Sequence, residues 1–184
     1  MPPQETRNEH SFAAARVVTA RDVAEILRER GWLAADATAE QIAWCERAAA
    51  LLGPQVSERR SLADLLQLVF CYDANELLAR IETHSALARY AARDVVRHLA
   101  LLLLDGAPLT PERFKEVITE LKTRVGLGSR DLFQPIRLVL AGAAGEGELD
   151  RVILLLDEAA TLSFRVPVKP ARERILEFCA ALDG

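Results

Sequence analysis

Residues 109–142 read LTPERFKEVITELKTRVGLGSRDLFQPIRLVLAG. Thr110-Pro111 is a helix start: threonine caps well, and proline in the first turn lacks only an N–H that would go unpaired there. Val125-Gly126 is a stop, because glycine readily takes the left-handed turn that closes a helix. A second helix follows at once, with Pro135 early in it and Gly142 behind it. A lone arginine, Arg137, interrupts the apolar run of this second helix. Such a side chain either runs its alkyl stem out to the surface or reaches for a planar, electron-rich ligand such as a nucleobase or a phosphate.

The same punctuation recurs outward from this pair. Thr19 with Asp22 caps a helix through Arg30, which Gly31 stops. Thr38 with Gln41 opens a second, closed by Gly53-Pro54, and Ser61 with Asp64 opens a third over SLADLLQLVF. Asp73 with Glu76 opens a short fourth, and a longer helix covers Ser85 to Leu104 before Asp105-Gly106. Beyond Gly142, helices are expected from Glu148 to Asp157 and from Ala171 to Leu182, separated by the irregular SFRVPVKP. Alanine and leucine dominate, and no segment sustains the two-residue alternation of a half-buried strand. The expectation is an all-α bundle of short helices. Residues 1–18 form a flexible arm, 19–106 a first helical sub-bundle and 107–184 a second.

Composition bounds the function. With 184 residues and 51% hydrophobic content, the chain can bury a substantial core. A net charge of −4 argues against indiscriminate coating of nucleic acid, which needs many lysine and arginine contacts to phosphate. It leaves room for a local basic face. Cys45, Cys71 and Cys179 are odd in number and far apart, so they read as buried free thiols in a reducing cytoplasm, with no metal expected. Met1–Ala20 is polar and carries Pro2 and Pro3, unlike a signal peptide. The apolar run LALLLL at 99–104 is far short of the about 20 residues that span a bilayer. A cytoplasmic location away from membranes is expected. GLGS at 126–129 follows no strand, and no GxSxG, HExxH or cysteine–histidine–carboxylate cluster occurs, so neither catalysis nor a cofactor is expected. Asp157-Glu158 reads as a solvated helix end.

Basic residues carry more information. Arg89, Arg93 and Arg97 recur every four residues, a spacing that stacks them on one helix face beside Asp94. The row suits either an anion or acidic residues on another helix. Lys115, Lys122, Arg124 and Arg130 flank the start of the second helix of the opening stretch. Trp32, Trp44, Phe70 and Phe114 fall on apolar faces and read as core. Near the end, Ile175, Phe178, Cys179 and Leu182 share one side of a helix, which could dock on its own bundle or on a partner.

The order of three pieces then matters: SERRSLADLLQLVF (57–70), the 109–142 stretch, and GELDRVILLL (147–156). Together they resemble the C-terminal anticodon-binding region of bacterial glutamyl-tRNA synthetases. The most specific piece is LFQPIRLVLAG, similar to the family's Leu-Phe-x-Pro-Leu-Arg-x-x-Leu-Thr-Gly. The resemblance holds over residues 50–157, is looser from residue 19, and ends by residue 160. Neither the HIGH-type nor the KMSKS-type motif that binds ATP in the family occurs in this sequence. The resemblance implies a freestanding, non-catalytic tRNA-reading half with an α-helical cage fold. It implies binding to tRNA, in particular tRNA-Glu, and a role in assisting or regulating glutamyl-tRNA aminoacylation, with a separately encoded synthetase as a possible protein partner. It further implies that Arg137 and Leu149 line the pocket for the anticodon's first base. The family's threonine is Ala141 here, and its small-residue-proline turn is Glu146-Gly147. Arg59 matches the arginine associated with the last base if one residue is deleted before Leu62; without the gap Glu58 stands there. Arg130, Arg89, Arg93 and Arg97 complete the expected RNA-binding set. The alternative is a protein–protein interaction module that keeps only the fold.

Overall fold

Threonine caps set the first helices. In α1 (Ala20–Glu29) the Thr19 Oγ1 accepts from the Asp22 N–H while the Asp22 carboxylate accepts from the Thr19 N–H at 2.9 Å. The reciprocal arrangement recurs at α2 (Ala39–Leu52) between Thr38 and Gln41. Each box satisfies two backbone donors that would otherwise be orphaned at a helix start. Beyond a 3-10 turn at Gly53–Gln55 come α3 (Arg59–Phe70), α4 (Ala74–Leu78), α5 (Ile81–Leu87), α6 (Ala92–Leu103), α7 (Pro111–Val125), α8 (Ser129–Ala141), α9 (Glu148–Thr161) and α10 (Ala171–Asp183). The computed structural model describes residues 17–184, and among these the architecture is all-α. The expected N-terminal arm lies outside the described residues except for Val17 and Val18, the latter packed on the core.

Three helices differ from their sequence reading, and α9 does so by running to Thr161, past the expected end at Asp157. α3 starts at Arg59, two residues before Ser61, and its N-cap Glu58 makes no side-chain cap bond. The expected Ser85–Leu104 helix is two helices, α5 and α6, broken around Tyr90. No glycine or proline marks the break. Ala91 makes it instead, with φ of 58°, a left-handed conformation that glycine adopts more cheaply.

Helices on the two sides of Gly106 bury one another. α8 packs on α6, α9 and α10, and α9 packs on α2 and α3. Because α8 is enclosed on several sides, the run Leu138–Ala141 is buried without interruption. An aromatic cluster fills the α1–α3 end, where Trp32 stacks on Phe70 at 4.8 Å and Trp44 meets Phe70 and Phe164 edge-on. Trp32, Trp44, Phe70 and Phe114 are all core, as their positions on apolar faces predict. Of the cysteines only Cys45 is buried, and burial pushes its thiol up to about 11; Cys71 is exposed and Cys179 half-buried.

The C-terminal helix closes the fold with a charge. Arg174 is fully buried, and its guanidinium donates to the carbonyls of Leu68 (2.9 Å), Val69 (2.6 Å), Leu140 (2.8 Å) and Lys169 (3.0 Å). The first three belong to the last turns of α3 and α8, where helices leave carbonyls unpaired and carry partial negative charge. One planar fork therefore caps two helices at once. Tyr72 lies under the guanidinium, 4.6 Å from its ring centre, and donates its hydroxyl to the Val139 carbonyl at 2.7 Å. Burial lowers the pKa of Arg174 to about 10, which keeps it charged at neutral pH. Asp157, read as solvated, instead accepts the Leu109 N–H (2.6 Å) and the first N–H of α10 at Ala171 (2.7 Å). Ile175 and Phe178 enter the core with it, while Cys179 and Leu182 are half-buried. The amphipathic tail helix thus packs on its own bundle.

Candidate nucleic-acid interface

Arg137 lies in α8, facing the turn into α9. Its Nε and Nη2 donate to the two carboxylate oxygens of Asp150, both at 2.8 Å, and Nη1 donates to the Gly145 carbonyl at 3.3 Å. The guanidinium also lies over the Phe133 ring, 5.0 Å from its centre. Its side chain is 13% exposed. The hydrogen bond to Asp150 raises its pKa, against burial, which lowers it; Glu146 and Glu148 add to the raising field. The expectation of a guanidinium held out for a ligand is therefore corrected. Arg137 is a two-pronged clamp between α8 and the first turn of α9. Asp150 suits that first turn, where carboxylates complement the positive helix end.

Leu149 stands beside this clamp but is 3% exposed, a core residue. A Cβ on Gly145 would sit 2.8 Å from Leu149 Cδ1, so any larger residue there would push the Leu149 side chain aside. Arg137, Leu149 and the 142–147 turn are thus gathered at one corner. Ala141 is buried, and Glu146 and Gly147 are exposed on the turn.

The expected arginine row does not form. Arg89 falls in the turn between α5 and α6, off any helix, and bonds to Asp131 (3.2 Å) and Gln134 of α8. Arg93 and Arg97 remain a turn apart on α6, exposed and without a carboxylate partner among the described residues. Arg130, in the first turn of α8, is likewise exposed and unpaired. Arg59 lies elsewhere, bridging α3 to α1 through Glu29 (2.7 Å) and Glu25 (3.7 Å), and the Glu29 bond raises its pKa. Its carboxylate partners are both on α1, and it shares none with the Arg137 clamp.

Further residues gather where sequence spacing gave no signal. A groove of about 400 Å³ between α7, α8 and α9 is lined by Phe114, Lys115, Ile118, Phe133, Asp150 and Arg151. Lys115 and Arg151 are exposed and lack a carboxylate partner among the described residues. They come from different helices, so no sequence window contains both. A larger cleft, about 700 Å³, lies between the ends of α3 and α4 and the 166–169 segment, and its lining mixes Asp64, Asp73 and Glu76 with Arg80 and Lys169. It holds none of the residues of the expected RNA-binding set. Among the described residues no helix is long and apolar enough to cross a membrane.

Residues 14–163 match the family described as anticodon binding domain. The chain is 26% identical over 137 residues to the glutamate–tRNA ligase of Exiguobacterium sibiricum, covering 74% of this chain and 28% of that protein. It is 29% identical over 130 residues to the glutamate–tRNA ligase of Geobacillus stearothermophilus, covering 71% of this chain and 26% of that protein. The chain therefore spans just over a quarter of the length of these curated relatives. No solved structure matches it.

Proposed function

Because the chain belongs to the anticodon-binding-domain family, we propose that it binds tRNA through the corner built by α8 and the α8–α9 turn. The observation that carries this reading is the cationic lining beside that corner: Lys115 and Arg151 share the α7–α8–α9 groove with Phe133 and Asp150, exposed and without a carboxylate partner among the described residues, although the chain is acidic overall. Phe133 is half-buried among them and offers a ring face. Unstacked bases of a loop are recognised by such mixtures of stacking faces and fixed donors. The names of the relatives point to tRNA-Glu as the ligand, and to a role in assisting or regulating its aminoacylation alongside a synthetase. Within this site Arg137 holds the corner in shape and offers the Phe133 face; Arg89 holds the α5–α6 turn on α8. Arg59 contributes at most at the α1–α3 edge.

Binding of a tRNA-Glu transcript, with an unrelated tRNA as control, tests the proposal at two salt concentrations. Phosphate contacts make log K fall linearly with log salt, by about 0.7 per phosphate on single strands and 0.9 on duplex. Binding that is absent at low salt rejects it. Asp150→Asn supplies a second arm: it removes the charge that holds Arg137, and RNA affinity is expected to rise by about tenfold or less as the guanidinium becomes available. The Arg137–Asp150, Arg59–Glu29 and Arg89–Asp131 pairs favour one other reading, a module that binds protein and not RNA. Co-purification with a protein partner in the absence of RNA binding would support that one.

A further inference from the structure

Tyr90 is the most exposed large apolar side chain in the described structure, at 87%. It is not on a frayed end. It occupies the tip of a turn closed by the Ala92 N–H donating to the Arg89 carbonyl at 3.2 Å. The next residue, Ala91, takes φ of 58° and ψ of 5°, at a turn position where glycine or asparagine is the usual occupant. Ala91 is also the N-cap of α6, yet has no side chain able to cap it. Two local rules are therefore broken beside an aromatic ring turned to solvent, a combination found where function opposes stability. The turn is nevertheless pinned. Arg89 fixes it to α8 through Asp131 and Gln134, so Tyr90 is presented from a braced position beside the first turn of α8.

The charges nearby select the ligand. Arg93 is in the first turn of α6, Arg130 is in the first turn of α8, and both are exposed with no carboxylate partner among the described residues. Asp131 is neutralised by Arg89, leaving Asp94 as the exposed acid on the first turn of α6. An exposed ring with one unpaired guanidinium three residues on and another next in sequence to the Asp131 that anchors its turn matches a single-stranded nucleic acid, whose bases stack while its phosphates pair. We propose that Tyr90 is a stacking platform for an unpaired base of the bound RNA, with Arg93 and Arg130 taking the adjoining phosphates. The assignment rests on the tRNA-binding reading above and adds to it a contact outside the Arg137 corner.

Fluorescence anisotropy with the full chain and a labelled tRNA-Glu transcript separates the two. If the wild-type chain does not bind at low salt, the tRNA reading fails and the platform fails with it. If it binds and Tyr90→Ala binds equally well, the tRNA reading stands and the platform is overturned. The expected result is roughly five- to hundredfold weaker binding by Tyr90→Ala, the range for losing one stacked base. The slope of log K against log salt should not change, since no charge is removed. Arg93→Gln and Arg130→Gln should each flatten that slope by about 0.7. Tyr90→Trp gives a direct readout, because Trp32 and Trp44 are buried. Its added emission should be quenched at saturating RNA with affinity retained; unquenched emission would overturn stacking.

Discussion

Two arginines in apolar surroundings meet opposite partners. Arg137 finds a carboxylate, Asp150, at a position with 13% of the side chain still open. Arg174 is sealed completely, finds no carboxylate at hydrogen-bond distance, and donates to backbone carbonyls, three of them at the ends of α3 and α8. A buried charge without an opposite charge is tolerated only when fully hydrogen-bonded, and the helix C-termini supply both the acceptors and a favourable field. Substituting Arg174→Met keeps much of the volume but leaves several buried carbonyls unpaired. Each such orphan costs about 1 kcal/mol or more, so a loss of at least about 3 kcal/mol is expected, read as a lower urea midpoint with unchanged m. Arg174→Lys should recover only part of this, because an ammonium cannot reach two helix ends from one point.

At the scale of elements, local signals were legible and their exceptions carry the interest. The boxes at Thr19 and Thr38, the Asp73 cap of α4 and the Thr110-Pro111 start of α7 all lie within three residues of what they bond, so a short window of sequence contains them. The break before α6 was not legible, because Ala91 carries no turn chemistry and the turn is held by contacts to α8. The Arg89–Arg93–Arg97 row, which needs one continuous helix, fails for that reason. Ala91→Gly should stabilise the fold by about 1 kcal/mol by relieving the left-handed alanine. Gly142 is the converse case. Its φ is 82°, and a Cβ there would meet the Tyr72 ring at 3.3 Å, the ring that supports Arg174. Gly142→Ala should therefore cost more than about 1 kcal/mol. Thermal midpoints of the two variants, moving in opposite directions, check both.

The whole molecule depends on its last helix. The family match ends at residue 163, yet Phe164, Arg174, Ile175 and Phe178 are buried in the common core. α10 touches α4, α6, α8 and α9, so it ties early helices to late ones. A chain shortened after Leu162 is expected to lose its cooperative transition, while the full chain unfolds in one step by both tryptophan fluorescence and far-UV circular dichroism. Separate transitions in the full chain would show instead that the helices before and after Gly106 fold independently. The tail was legible as an amphipathic helix, and Arg174 stands four residues before Phe178 on that face, but an arginine at the edge of an apolar stripe ordinarily runs its head out to solvent, so its burial gave no signal.

The sequence by itself determined the helices, most of their ends, the aromatic core and the family, because caps, turns and apolar faces act over a few residues. Only the tertiary structure decided what the arginines of the candidate site and of the core do. Guanidiniums take the nearest acceptors in space, and those acceptors come from other helices: Asp150 for Arg137, Glu29 for Arg59, Asp131 for Arg89, and the ends of α3 and α8 for Arg174. Within-helix pairs four residues apart, Arg21–Glu25 and Arg124–Glu120, are written in the spacing; whether Arg137, Arg59, Arg89 and Arg174 are spent on the fold is set by packing between helices, which no spacing along the chain encodes.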